Sequence, residues 1–303
     1  MTTEFSSKIL YDDLVKFGHI IPVGVPGIFG RGAVFEEILN RFDAAVSRLA
    51  ASDHATKVHF PPCINRQVLQ KSMYIDSFPQ LSGTVFSFTG NDAAHRELSS
   101  RLKDDKPWGD LQTMTDCSLT PAACYPVYPT FTGTLPPDGA LVDVQNWVFR
   151  HEPSEEPTRM QAFRVHEYVR LGTTDVVVAW RDLWLQRGLK ILLSLGLPVK
   201  AELASDPFFG RGGRMLAANQ REQKLKFEVV CPVISSEKPT ALCSFNYHQD
   251  KFGTIFNIKT STGETADTAC LGFGLERIVM ALLKTHGMDP DNWPKSVREV
   301  LWA

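Results

Sequence analysis

The chain has 303 residues, of which 43% are hydrophobic and 22% charged, and its formal net charge is −2. That composition supports a sizeable globular core in one large domain or two small ones. The near-neutral balance argues against a surface that tracks a polyphosphate backbone, which needs a strongly basic domain. No apolar run approaches the roughly 18 residues of a membrane span. The segment Met1–Lys8 lacks the basic-then-apolar layout of a secretory leader. A cytoplasmic protein is expected.

In chain order, the Gly/Pro-rich turn region 23–32 precedes a helical pattern over Phe35–Val46. Its apolar residues at 35, 38, 39, 42, 45 and 46 form one buried stripe. Lys57–Phe60 reads as a short strand stopped by Pro61 and Pro62. Prolines cannot donate to a sheet ladder, so this strand belongs at an edge or an interface. Leu141–Arg150 and Gln161–Leu171 read as the two arms of a long hairpin, joined by the polar linker His151–Met160. Segments 226–231, 240–247 and 254–258 read as further antiparallel strands, and helical patterns fall near 181–195, 212–224 and 272–285. No internal repeat or heptad array interrupts them. Strands joined by hairpins with helices outside them predict an α+β fold rather than a doubly wound parallel sheet.

Six cysteines, Cys63, Cys117, Cys124, Cys231, Cys243 and Cys270, are too dispersed for a CxxC finger. In a reducing compartment each reads first as a small buried hydrophobe. A thiolate with a role would be a metal ligand or a nucleophile.

Two segments carry chemistry. In the hairpin, Arg150 and Glu152 stand two apart at the end of a strand, so they share a face. Arg159 follows in the loop, and Met160 and Phe163 open the return strand. An arginine fork matches phosphate and carboxylate oxygens, although a surface hairpin with ordinary ion pairs fits the same residues. The second segment, Ala269-Cys270-Leu271-Gly272-Phe273-Gly274-Leu275-Glu276-Arg277, runs through two glycines into an apolar helix. Alone it is a weak signal, and it lacks the βαβ context of a dinucleotide fold.

Together these segments resemble motifs 2 and 3 of class II aminoacyl-tRNA synthetases, and 33–62 resembles their motif 1, a dimer-interface element. The resemblance implies an antiparallel sheet flanked by helices, one catalytic domain over 1–303, and a homodimer. By motif position, Arg150 would hold the ATP α-phosphate and the substrate carboxylate, with Glu152 on the adenine amino group. Phe163 would stack on the purine, and Arg159 beside Met160 would contact phosphate. Arg277 would reach the γ-phosphate, with Arg150 and Arg277 as the catalytic pair and Mg²⁺ accompanying ATP. Lys226 and the run Ala241, Leu242, Cys243 and Ser244 border the nucleotide in this fold. A solvated lysine and a plain core strand fit those positions nearly as well.

Within the fold, the sequence is most similar to zinc-dependent seryl-tRNA synthetases of methanogens and to bacterial amino acid:[carrier protein] ligases that share their core. The resemblance implies a Zn²⁺ held by Cys124, Glu167 and Cys270, one per subunit. Three protein ligands leave a fourth position for a substrate amine, which makes Glu167 also a substrate-binding residue. The resemblance begins near residue 20, and what precedes it cannot form the arm with which seryl enzymes hold tRNA. Transfer of a small amino acid, glycine or alanine, to the phosphopantetheine thiol of a carrier protein is therefore expected instead. The basic, glycine-rich stretch 206–224, with Arg211 and Arg214, is the expected carrier-docking insertion. A seryl-type tRNA synthetase and a catalytically silent paralogue remain the alternatives.

Overall fold

A computed structural model describes residues 3–303, apart from the side chains of residues 3–5 and 211. Seven strands build the central sheet: β1 (Thr56–Val58), β2 (Ala140–Phe149), β3 (Ala162–Gly172), β4 (Lys200–Leu203), β5 (Lys226–Cys231), β6 (Thr240–Gln249) and β7 (Asp267–Gly274). Their spatial order is β4-β5-β6-β7-β3-β2-β1. Every neighbouring pair is antiparallel except β1 with β2. The fold is thus α+β, as expected. The long hairpin is present in register from Ala140↔Leu171 to Phe149↔Ala162. The proline-stopped strand lies at the sheet's edge, where its missing donors cost no ladder bonds.

One face of the sheet is covered by helices α1 (Ala33–Ala50), α2 (Thr174–Ser194) and α4 (Leu275–His286), while α3 (Gly210–Glu222) is inserted between β4 and β5. The predicted stripe of α1, Phe35, Ile38, Leu39, Phe42, Ala45 and Val46, is buried, and Phe42 meets Phe273 of β7 edge-on at 5.8 Å. Helix α2 presses so closely on β6 that a Cβ on Gly188 would sit 2.6 Å from Phe245. That contact requires glycine. Tyr168 of β3 stacks on Trp184 of α2 at 5.2 Å, so residues 164, 166 and 168 face the helices. Alternation then sends Phe163, Val165 and Glu167 to the opposite face, where the site is assembled.

Two expectations are corrected. Residues 254–258 are not a strand: Lys251–Phe256 is a short helix, and only Ile258–Lys259 pairs, in parallel, with Gly133–Thr134. Phe252 and Phe256, one helical turn apart, pack on Tyr128 at 4.0 and 6.5 Å. That tertiary packing overrides the strand preference of Thr254 and Ile255. The helix read from 181 begins at Thr174, because the β-branched run Val176–Val178 conceals its first two turns. A separate three-stranded sheet, Cys63–Asn65, Thr84–Phe88 and Gln112–Leu119, leads the chain towards Cys124. Among the described residues, no helix is long and apolar enough to cross a membrane.

Candidate active site

Arg150 leaves the end of β2 and is aimed by one bond, its Nε donating to the Pro121 carbonyl at 3.0 Å. Its guanidinium carbon lies 5.6 Å from the centre of the buried Phe163 ring. Glu152 pairs with Arg159 at 3.0 Å. Arg277, in the first turn of α4, is held at both ends: Nε donates to the Thr158 carbonyl (2.8 Å) and Nη1 to the Ala241 carbonyl (3.2 Å). Burial, and then the neighbouring charges of Arg150 and Arg159, push Arg277 below its ordinary pKa. Arg150 and Arg159 therefore crowd Arg277, with Arg150 against the Phe163 ring, and such mutual repulsion is relieved by a bound polyanion.

The remaining nucleotide-site expectations fall unevenly around this cluster. Met160 is buried behind the loop, where its sulfur accepts from Arg31 Nη2 at 3.7 Å. Ala241 contributes its carbonyl to Arg277, while Leu242 and Cys243 are core residues. The hydroxyl of Ser244 accepts from Asn246 at 3.3 Å. Lys226 is neither solvated nor free, being buried and paired with Asp206 at 2.5 Å and Glu228 at 3.1 Å.

Cys124, Glu167 and Cys270 come together on the same face, all buried, with ligand atoms within 4.8 Å of one another. They arrive from a loop, β3 and β7. The Glu167 carboxylate accepts backbone N–H bonds from Ala123 (2.8 Å) and Cys124 (3.0 Å). Gly272 lies opposite Glu167 in register, and a Cβ there would stand 3.2 Å from Glu167 Cγ. Burial and then the Cys270 sulfur push Glu167 up to about 7. Interaction between the two neighbouring sulfurs raises the Cys124 thiol and lowers Cys270. Three acidic groups crowded together in a buried site resist ionising together unless a cation joins them. Two sulfurs and a carboxylate suit a borderline-soft divalent ion such as zinc, and leave an open position. The residues fit that metal.

Some neighbours carry no motif and were invisible in the sequence. Asp206 takes bonds from Lys226 and from Gln220 Nε2 (2.8 Å). Although burial opposes it, these partners and the nearby Arg150 keep its carboxyl below the ordinary range. Only the charge alternation Lys226-Phe227-Glu228 hinted at a polar strand face there. Tyr74, from the segment before the three-stranded sheet's second strand, is also buried close to Arg150 and Asp206. The 206–224 insertion is tied at its base: Phe208 stacks on Phe78 at 5.1 Å, and Phe209 N donates to Ser77 O at 3.0 Å. Beyond that anchor, Phe209, Arg214, Met215, Leu216 and Arg221 are exposed. The Arg211 side chain lies outside the described residues.

No family model matches the chain. In overall shape it resembles Methanopyrus kandleri seryl-tRNA synthetase, solved in complex with a tRNA, at a TM-score of 0.81 with 19% identity. That match covers 96% of this chain and 59% of the synthetase. A cytoplasmic serine–tRNA ligase from Naegleria fowleri gives a TM-score of 0.72 over 97% of this chain and 59% of that one, at 12% identity. The fold is therefore that of class II aminoacyl-tRNA synthetases. In sequence, a type-2 serine–tRNA ligase of Methanococcus aeolicus is 28% identical over 79% of this chain, which spans about half (49%) of that enzyme. Amino acid–[acyl-carrier-protein] ligase 2 of Bradyrhizobium diazoefficiens is 42% identical over 281 residues, covering 92% of this chain and 84% of the relative. Ligase 1 of the same organism is 42% identical over 92% of this chain and 86% of its own length. On that identity and span, the chain belongs to the amino acid–[acyl-carrier-protein] ligase family.

Proposed function

We propose that the protein activates a small amino acid with ATP and passes it to the phosphopantetheine thiol of a carrier protein. The observation that carries this reading is the cluster of Arg150, Arg159 and Arg277, in which Arg150 lies close to Arg277 on one side and to Glu167 of the Cys124–Glu167–Cys270 trio on the other. A carboxylate held there would attack the α-phosphorus of ATP in line and release pyrophosphate. Arg150 would bind the α-phosphate and the amino acid carboxylate, and Arg277 the γ-phosphate, stabilising charge as it builds without a dedicated base. Phe163 offers the purine a ring to stack on, and Glu152 an acceptor for its amino group. Mg²⁺ would accompany the triphosphate.

Cys124, Glu167 and Cys270 would hold one zinc ion, which when bound supplies a Lewis-acid position for the substrate's neutral amine. In the second step the carrier thiol loses its proton and its sulfur bonds to the carbonyl carbon. The bond to the AMP phosphate breaks, leaving a thioester and AMP. The exposed Arg214, Met215, Leu216 and Arg221 of α3 combine cations with apolar groups, a surface suited to an acidic carrier. Motif 1 helix α1 would lie towards a homodimer interface.

Pyrophosphate exchange across the small amino acids, repeated after zinc removal, tests the first step. Thioester formation on a carrier protein tests the second. Exchange with no amino acid would overturn the enzyme reading, and charging of bulk tRNA in place of the carrier would favour a seryl-type tRNA ligase.

A further inference from the structure

Cys270 is unusually well supplied with donors. It stands on β7 directly opposite Asn246 of β6, whose Nδ2 points at its sulfur from 3.4 Å. The same amide nitrogen donates to Ser244 Oγ at 3.3 Å, which orients it. Two residues along β6, on the same face, His248 Nε2 lies 3.5 Å from the same sulfur. His248 Nδ1 is 3.1 Å from the hydroxyl of the fully buried Thr268, two residues before Cys270 on β7. The imidazole plane is fixed by edge contacts to Phe252 (5.0 Å, 77°) and Tyr128 (6.0 Å, 84°).

Chemistry assigns the protons. A thiolate only accepts, so Nε2 must carry the hydrogen that faces Cys270. A neutral imidazole then leaves Nδ1 as the acceptor, and the Thr268 hydroxyl donates to it. Thr268, His248, Cys270 and Asn246 thus form one directional relay across two strands, ending on a sulfur of the metal-binding trio. Among the described residues, no side-chain amide or imidazole N–H reaches the Cys124 sulfur in the same way.

We propose that Asn246, His248 and Thr268 are positioning residues that hold the Cys270 thiolate as a metal ligand and draw electron density from its sulfur. This rests on the reading of Cys124, Glu167 and Cys270 as a zinc site. Two donors on one sulfur lower its donation to the bound ion, which keeps that ion a stronger acceptor for an amine.

The test measures zinc affinity by chelator competition, together with the sulfur-to-metal charge-transfer band of the cobalt(II)-loaded protein. Removing a donor with Asn246→Leu or His248→Leu should weaken zinc binding about 10- to 100-fold, because the sulfur is no longer held in place, and move the cobalt band to longer wavelength as the sulfur's own donation rises. His248→Gln, which can return an N–H to the sulfur, should recover part of both. Unchanged affinity and an unchanged band in both leucine variants would overturn the relay. Should His248→Leu lose its fold by circular dichroism, Thr268→Val reads the same relay with the ring still packed. A wild-type chain that binds no zinc and shows no cobalt–sulfur band would overturn the metal reading itself, a result distinct from failure of the relay.

Discussion

Arg164 of β3 grips Glu276 of α4 twice, through its backbone N–H (2.8 Å) and its Nε (3.0 Å). Glu276 is fully buried, and Arg31 approaches it at 3.5 Å. The other end of the Arg164 guanidinium forks onto Glu36 of α1 at 2.6 and 2.7 Å. One side chain therefore joins α1, β3 and α4, and it fixes the helix turn from which Arg277 projects. Glu276→Ala leaves two arginines short of a buried partner and should cost about 3–5 kcal/mol. Urea denaturation checks the loss, and exchange activity should fall with it because Arg277 loses its seat.

Arg150→Lys keeps the charge but removes the planar fork. Pyrophosphate exchange should drop on the order of 10²-fold, while the melting temperature stays near wild type because, among the described residues, the Arg150 side chain makes a single hydrogen bond, to Pro121, and its backbone bonds to Gln161 and Glu152 are kept. A variant with full exchange activity would remove Arg150 from the α-phosphate role.

Gly272→Ala places a methyl 3.2 Å from Glu167 Cγ, tighter than ordinary van der Waals contact. The Glu167 side chain must give by a few tenths of an ångström, which displaces its carboxylate within the trio. Zinc bound per chain, measured by atomic emission, should fall, whereas the sheet should survive because alanine is tolerated in a strand.

His166 lies on the back of the same strand between Asp43 (2.7 Å) and Asp143 (3.0 Å). Burial disfavours its charge, but the two carboxylates overcome that and raise it from 6.5 to about 9. A raised folded-state value means the stabilisation is complete below pH 6.5 and is lost as pH climbs through about 9. The amount at stake is on the order of 3 kcal/mol. Denaturation midpoints across that window should decline in the wild type and flatten in His166→Gln.

Arg214→Glu reverses one exposed cation of α3. It should raise the carrier KM about tenfold and leave amino-acid-dependent exchange unchanged. An equal loss of exchange would place the residue in the adenylation site rather than on a docking surface.

The sequence alone determined the long hairpin, the stripe of α1 and the glycine-to-helix passage before Arg277, since each is a local pattern whose period or punctuation is written in adjacent residues. It failed at 254–258, where Phe252 and Phe256 answer to Tyr128, more than a hundred positions upstream. Motif resemblance pointed to Cys124, Glu167 and Cys270, but no spacing rule joins residues so far apart; their meeting follows from β3 and β7 being neighbours in the sheet. The same holds for Lys226, read from the sequence as a nucleotide contact or a solvated lysine: that it is buried between Asp206 and Glu228 is decided only by the tertiary structure. Likewise only strand register brings Asn246 and His248 to the Cys270 sulfur and Thr268 to His248. Local propensity names the elements; which side chains meet is decided by strand order and register, contacts that no stretch of neighbouring residues encodes.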